Sequence, residues 1–158
     1  MAIRKIVTLG DDVLRKVCKK QEKFDKRLWT LLDDMADTMY KAEGVGLAAP
    51  QVGVLRRVVV IDVGDGLVEM INPVIVESSG KQCGREGCLS LPGRQGVVTR
   101  PNVVKVRAQD RYGEWFEAEG EELIGRCFCH ENDHLNGIVY TEVMDRFLTQ
   151  DELEMDED

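Results

Sequence analysis

The sequence lacks any apolar run that is long enough to span a membrane, because a transmembrane helix needs about 20 consecutive apolar residues. Its N-terminal stretch, MAIRKIVTLGDDVLRKVCKK, contains neither the apolar core nor the cleavage site of a secretory signal peptide. Basic residues are also in the minority, since 21 Lys and Arg stand against 29 Asp and Glu and leave a net charge of −8. These absences predict a cytoplasmic protein that is not a general binder of membranes or nucleic acid.

Internal repeats and linkers are missing as well. The 158 residues suit one domain with a sizeable core, and we expect a single domain over residues 1–158, with the acidic tail of about residues 150–158 solvated and frayed. The cysteine count is odd and no secretory signal precedes it, so we expect reduced thiols, with at least one available to a metal ion. The five cysteines are Cys18, Cys83, Cys88, Cys127 and Cys129.

Two stretches of the chain carry the apolar spacing of a helix. Residues 25–43 place leucines and methionines on one face, with Asp25 as the N-cap and Gly44 at the end. A second helix is predicted over about residues 121–136, where Gly137 ends it. The first of these is expected to be a plain core helix near the N-terminus.

Other stretches carry the β-branched residues that are typical of strands. Strands are predicted over residues 57–63 and 67–78, the second broken near Asn72. Residues 102–110 and 114–120 read as a hairpin, because the RYG between them is a turn signal. The predicted fold class is α+β: a single domain of mostly antiparallel strands packed around a central helix, with an N-terminal helix.

Both histidines of the chain lie in one stretch, CHENDHLNG, at residues 129–137. On the predicted helix, His130 and His134 are about 40° apart, so both imidazoles can reach one metal ion. Glu131 falls inside the apolar arc of this helix, where desolvation raises the pKa of a carboxylate and suits it to act as a general base. Asp133 lies on the opposite flank, where it can hold structure or bind an arginine. The H-E-x-x-H pattern therefore predicts a metal-bearing helix with a base beside the metal.

The residues alone leave the third ligand of this metal open. A zinc protease takes a glutamate from a later helix, and the glutamates available downstream are Glu142, Glu152 and Glu154. A solvated tail is a poor place for a rigid ligand, however. Cys88 in GREGCLSLPG is a better candidate, because Gly87 allows close approach of the backbone and thiolate is a strong ligand for iron or zinc. Cys83 is its local rival, while Cys127, which faces the histidines on the helix, is an alternative lining residue of the pocket.

Residues 44–53, GVGLAAPQVG, form a third informative segment. Its glycines, alanines and proline predict a tight loop that can approach a ligand closely. Gln51 is the polar side chain of this apolar segment. We therefore expect its amide to face a ligand rather than bulk solvent.

Taken in order, these three segments resemble peptide deformylase. They read GVGLAAPQ at residues 44–51, EGCLS at residues 86–90 and HENDH at residues 130–134, and the resemblance covers nearly the whole chain. It implies one divalent metal ion per chain, iron(II) in the physiological state, with zinc, nickel or cobalt able to replace it. The metal ligands that the resemblance implies are Cys88, His130 and His134.

The resemblance also implies a reaction, the removal of the formyl group from N-formylmethionine of newly made polypeptides with release of formate. Glu131 would take a proton from the attacking water and later pass one to the leaving amine. The amide of Gln51 and the backbone N–H of Leu89 would stabilise the oxygen of the tetrahedral intermediate. The residues implied to line the methionine pocket or flank the peptide are Val45, Gly46, Glu86, Leu123, Arg126 and Cys127.

Some features depart from familiar members of that family. Cys129 stands where glutamine is common, but it faces away from the histidines and should not affect activity. Arg126 makes the pocket edge more basic, which would favour carbonyls or acidic groups of a bound peptide. The resemblance implies a transient contact with the ribosome, but the short acidic tail argues against docking through that tail. A monomer is expected.

Two rival functions fit part of the pattern. One is a zinc endopeptidase whose third ligand is a glutamate of the tail. The other is a structural metal module, closed by a second cysteine and without an open coordination position. Glu131 and Gln51 argue against the module, because a structural site needs no base.

Overall fold

The computed structural model describes residues 2–155 of the chain. Within that range it contains three α-helices and eight β-strands. The helices are α1 (Lys26–Lys41), α2 (Leu123–Leu135) and α3 (Gln150–Glu154). None of the helices within residues 2–155 is long and apolar enough to cross a membrane.

The strands form two sheets in which neighbouring strands are antiparallel. Across the larger sheet, the strands follow the order β1 (Gly46–Ala48), β2 (Val58–Ile61), β3 (Val68–Ser79), β6 (Val103–Gln109) and β7 (Trp115–Glu121). Across the smaller sheet, the order is β4 (Gln82–Cys88), β5 (Leu91–Arg100) and β8 (Arg146–Phe147). The predicted hairpin is confirmed, because β6 and β7 pair in register from Val103 with Glu121 to Gln109 with Trp115.

Helix α2 lies between the two sheets. It packs against β6, β7 and β3 of the larger sheet, with Phe128 and Leu135 in the main hydrophobic core. It reaches the smaller sheet through Arg126 and His130, whose side chains contact Glu86 on β4. The prediction of an α+β domain with mostly antiparallel strands around one central helix is therefore confirmed.

Helix α1 follows the sequence pattern closely. The side chain of Asp25 accepts a hydrogen bond from the backbone N–H of Leu28 at 3.3 Å, as an N-cap should. The N–H of Gly44 donates to the carbonyl of Met39 at 2.9 Å, just beyond the helix end. The predicted apolar face is buried against β1 and β2, and its members are Leu28, Leu31, Leu32, Met35 and Met39.

The predicted break near Asn72 and Pro73 is wrong, because β3 runs through both residues. Asn72 has a φ of 54°, and the pairing with β6 shifts register between Ile71 and Val74. The Asn72 side chain supports this bulge by donating to the Gln109 side chain at 2.8 Å. A local bulge therefore accommodates the proline without ending the strand.

Two segments are more regular than their sequences indicate. Residues 44–53 were predicted as a loop, but Gly46–Ala48 pair with β2 and Ala49–Val52 form a 3-10 turn. Strands β4 and β5 were not predicted, since glycines are frequent in both and lower the strand propensity. Pairing across the hairpin supplies the order that the local sequence does not.

The acidic tail begins with a short helix rather than frayed chain. The Thr149 side chain accepts from the N–H of Glu152, and the Glu152 carboxylate accepts from the N–H of Thr149. Glu152 also pairs with Arg146 at 2.7 Å. Residues 156–158, for which fraying was predicted, lie outside the described range.

Candidate active site

Three potential metal ligands meet at the centre of the fold. His130 and His134 lie one helical turn apart on α2, and their ring centroids are 5.0 Å apart. Cys88 ends β4, and its Sγ lies 3.3 Å from His134 Nε2. One ligand atom from each residue lies within 4.8 Å of the other two, and within residues 2–155 no other trio of such side chains does this. The sequence-predicted trio is brought together, and three ligands from the chain is the number that catalytic zinc sites commonly use.

The turn after Cys88 fixes where its thiol points. Cys88 pairs with Leu91 across a hairpin closed by Leu89 and Ser90. At this position the Cys88 thiol faces the histidines of α2, with Sγ 3.3 Å from His134 Nε2. The downstream glutamates are engaged elsewhere, Glu142 with Arg15 and Glu152 with Arg146.

Glu86 orients the first histidine. His130 Nδ1 lies 2.8 Å from Glu86 Oε1, and because a carboxylate only accepts, this nitrogen carries a proton. Burial alone would raise the pKa of Glu86, but hydrogen bonds from Arg100 and His130 outweigh it and hold the pKa well below its usual range. With Nδ1 bonded to Glu86, Nε2 is the ring nitrogen that can bind a metal, which is the arrangement that metal-binding histidines commonly have.

Arg100 and Arg126 together compensate the buried charge of Glu86. Arg100 donates to both carboxylate oxygens of Glu86, at 2.8 and 2.9 Å, and also to Asp133 at 2.7 Å. The suggestion that Asp133 binds an arginine is thus confirmed. Arg126 donates from Nη1 to Glu86 Oε2 at 2.7 Å and to the Val98 carbonyl at 3.0 Å.

The expectation that Arg126 makes the pocket edge basic needs correction. Its side chain is only 7% exposed, and its charge is directed at Glu86. Arg126 Nη2 is buried and has no hydrogen-bond partner within the described residues. A Cβ at Gly84 would lie 3.2 Å from that nitrogen, so the glycine makes room for the guanidinium. Arg126 therefore belongs to the buried support of His130 rather than to an exposed rim.

Glu131 projects toward the ligand trio from the apolar side of α2. Its carboxylate is almost fully buried, and Oε2 lies 4.0 Å from His130 Nε2. Burial is the main reason that the pKa of Glu131 is raised to about 7. Its Oε1 is buried and has no hydrogen-bond partner within residues 2–155. An orphaned carboxylate oxygen beside three metal ligands is suited to accept a proton from a bound molecule.

The Gln51 amide is held on the opposite wall. Its Oε1 accepts from the N–H of Ala48 at 3.0 Å, and its Nε2 donates to Ser90 Oγ at 3.1 Å. The same Nε2 lies 3.5 Å from Cys88 Sγ, beside the metal ligands. The expectation that Gln51 faces a site rather than solvent agrees with this position.

A cavity of about 390 Å³ opens onto these groups. Of the twelve sequence-predicted site residues, all but His134 line it, and His134 lies 3.3 Å from the Cys88 thiol. Burial raises the pKa of Cys127 to about 12, which keeps it a neutral thiol in the wall. The predicted residues that line the cavity besides the ligands are Val45, Gly46, Gln51, Glu86, Leu89, Leu123, Arg126, Cys127 and Glu131.

Sequence reasoning missed three residues of the site. Arg100 holds Glu86, and Ser90 accepts from Gln51. Tyr140 packs its ring against that of His130, with centroids 6.2 Å apart and an angle of 26° between the planes. The only local signal was the place of Ser90 in the EGCLS segment, because the other two contacts come from distant parts of the chain.

The comparisons with known proteins agree on one family. The polypeptide deformylase family model matches residues 3–150. The peptide deformylase of Acetivibrio thermocellus is 60% identical over 154 residues, covering 98% of this chain and 91% of that protein. The peptide deformylase of Caldicellulosiruptor bescii is 54% identical over 154 residues, covering 98% of this chain and 93% of that protein.

Solved structures give the same result. The peptide deformylase of Thermotoga maritima superposes with a TM-score of 0.90 at 42% identity, covering 92% of this chain and 99% of that one. The peptide deformylase of Legionella pneumophila superposes with a TM-score of 0.88 at 46% identity, covering 96% of this chain and 89% of that one. The chain belongs to the polypeptide deformylase family.

Proposed function

We propose that this chain hydrolyses the formyl amide of N-formylmethionyl peptides, with formate and a free amino terminus as products. The observation that carries the proposal is the meeting of Cys88, His130 and His134 within 4.8 Å, beside a cavity that Cys88, His130, Glu131 and Gln51 line. Two imidazoles and a thiol with a base beside them suit metal-assisted hydrolysis of an amide. Membership of the deformylase family supports this substrate over other amides.

The donor set fits a resident divalent metal ion. The three ligand atoms converge, His130 Nδ1 is held by Glu86 so that Nε2 is the nitrogen for a metal, and Glu131 Oε1 lacks a partner within the described residues. When bound, the metal supplies Lewis acidity, which polarises a carbonyl and lowers the pKa of water. We propose iron(II) as the physiological ion, because thiolate with two imidazoles suits it, while zinc, nickel and cobalt suit the same donors.

Residues of the chain itself transfer the proton and stabilise the developing charge. Glu131, with a pKa raised to about 7, accepts a proton from the attacking water and delivers it to the leaving amine nitrogen. Gln51 Nε2 carries two hydrogens, of which Ser90 Oγ takes one. The other is directed at Cys88 Sγ, 3.5 Å away, and we propose that it turns to the developing oxyanion beside that ligand, together with the backbone N–H of Leu89.

The cavity wall suits an apolar side chain followed by a peptide. Val45 and Leu123 are partly exposed at 43% and 49% and give the bound chain apolar surface at the mouth. Gly46, Glu86, Arg126 and Cys127 complete the predicted lining. We propose that the methionine side chain occupies this cavity and that the nascent chain leaves over the mouth.

The cellular setting follows from the substrate. We propose a monomer that acts in the cytoplasm, where formylated chains are made. A transient contact with the ribosome is part of this proposal, but we do not place it on the tail. Gln150–Glu154 carries three acidic residues, and Glu152 is already paired with Arg146, so it offers no basic surface to RNA.

Formate release from a short formyl-Met peptide tests this function. The metal-loaded enzyme should release one formate per peptide and leave every peptide bond intact, as mass analysis of the product would show. Removal of the metal by a chelator should stop the reaction, and addition of a divalent ion should restore it. Internal peptide cleavage without formate release would support the endopeptidase instead, and metal binding without any hydrolysis would support the structural module.

A further inference from the structure

The N-terminal segment Val7–Leu9 joins the two parts of the chain that carry Gln51 and Ser90. The backbone N–H of Val7 donates to the Gln51 carbonyl at 2.8 Å, and the N–H of Leu9 donates to the Ser90 carbonyl at 2.8 Å. Two residues of backbone span at most about 7 Å. Residues 7–9 therefore limit the distance between the Gln51 and Ser90 carbonyls.

The side chains of this segment anchor it. Val7 and Leu9 pack against the buried cluster around Leu14 and Tyr140, to which Cys88 and Leu91 also belong. The segment is thus fixed to the same hairpin that presents the metal ligand. Any displacement of the segment would move that hairpin relative to the 3-10 turn at Ala49–Val52.

Gln51 and Ser90 are also joined directly through their side chains. Gln51 Nε2 donates to Ser90 Oγ at 3.1 Å, while Gln51 Oε1 accepts from Ala48. Both residues are buried, at 1% and 0% exposure, so neither bond competes with bulk water. The two bonds fix which end of the amide is oxygen and which is nitrogen, and they direct the second N–H of Nε2 toward Cys88 Sγ, 3.5 Å away at the metal ligands.

We propose that three positioning residues hold the Gln51 amide toward the reacting carbonyl. Val7 and Leu9 act through their backbone N–H groups, and Ser90 acts through its hydroxyl. This inference rests on the proposed function, because the orientation of the Gln51 amide affects turnover only if an oxyanion forms beside that amide. The N-terminal segment then contributes to turnover as well as to stability. None of the three residues touches the substrate in this account.

Proline substitution at Val7 tests the backbone contact. Val7→Pro removes the N–H that holds Gln51, whereas Val7→Ala removes packing and keeps the N–H. We expect Val7→Pro to lower kcat by between about 10- and 100-fold, because small misplacement of a reacting group is costly. KM and bound metal should change little, and Val7→Ala should lower kcat much less than Val7→Pro does. Equal kcat values for the two variants would overturn the backbone contact as a positioning device.

A double-mutant cycle with Gln51→Leu separates positioning from general damage. If Val7 acts through the amide, Val7→Pro should lower kcat in the wild-type background and have almost no further effect once the amide is gone. The same full loss in both backgrounds would overturn the inference. Ser90→Ala removes the side-chain bond and keeps the backbone intact, so it serves if Val7→Pro does not fold, with the same coupling expected.

The cycle also distinguishes this inference from the function on which it rests. Loss of formate release in Gln51→Leu but unaltered kcat in both Val7→Pro and Ser90→Ala overturns the positioning role alone. Wild-type kcat in Gln51→Leu overturns the oxyanion role of Gln51 and the inference together. Absence of formate release from the metal-loaded wild type overturns the proposed function.

Discussion

Gly46 leaves the space that the Glu131 carboxylate occupies. A Cβ built at Gly46 would lie 2.5 Å from Glu131 Oε2, closer than a real Cβ approaches another heavy atom. The glycine belongs to β1 and the glutamate to α2, so the contact is made where the larger sheet meets the central helix. The absence of a side chain at residue 46 is therefore needed for the carboxylate to keep its place beside the metal ligands.

We predict that Gly46→Ala displaces the Glu131 carboxylate and lowers turnover by about 100-fold, the scale of an error of about 1 Å in a reacting group. Bound metal should remain near one ion per chain, because the three atoms nearest to the added Cβ all belong to Glu131 and none to a metal ligand. Gly87→Ala is the matched control. It adds the same methyl group to the cavity wall, where the nearest atom would lie 3.4 Å away, in ordinary contact. Equal activity of the two variants would contradict the steric account.

Cys88→Ala should abolish tight metal binding and with it the activity, because the histidines alone supply only two ligands. Cys127→Ala is the matched control, since burial raises the pKa of that thiol to about 12 and keeps it from acting as a thiolate ligand. Metal analysis after dialysis measures both variants. A full complement of metal in Cys88→Ala, or its loss in Cys127→Ala, would show that the ligand has been assigned to the wrong cysteine.

Much of this site was open to prediction from the sequence, and the reason is local geometry. The helix that carries His130 and His134 has a fixed turn, so the spacing alone places both rings on one face. The same turn placed Glu131 on the buried side and Asp133 on the flank, where the structure finds it bonded to Arg100.

The remainder of the site depends on contacts that cross the fold. Arg100 meets Glu86 although its register partner on β4 is Gln82, so the contact depends on the reach of the side chain along a hairpin whose glycines obscured both strands. The direction of the Arg126 side chain was misjudged, because the position of a residue on a helix shows which face it lies on but not which residue of another element it contacts. The tie between Val7 and Gln51 had no sequence signal at all, since it joins two backbone groups.

Glu86→Gln should weaken both the metal site and the fold. A neutral amide leaves Arg100 and Arg126 without their shared buried carboxylate, and breaking a buried pair typically costs about 3–5 kcal/mol of unfolding free energy. His130 also loses its charged orienting partner, so metal affinity should fall by about 10- to 100-fold. Denaturant titration and metal competition measure the two effects.

The control for Glu86→Gln is Glu152→Gln, which removes the carboxylate of a solvent-exposed pair with Arg146. That variant should leave metal affinity unchanged and alter stability little, because exposed ion pairs contribute little. Equal metal affinity in the two variants would remove Glu86 from the support of the metal site.

Replacement of the proposed base tests the central claim most directly. Glu131→Gln keeps the shape of the side chain, and the buried apolar surroundings of residue 131 should accept a neutral amide at least as well as a carboxylate. Metal content and folding should therefore hold. Formate release from a formyl-Met peptide, measured at equal metal content, should fall by about 100-fold or more. Release of formate by Glu131→Gln at the wild-type rate would contradict the account, because it would leave the buried carboxylate without a part in the reaction.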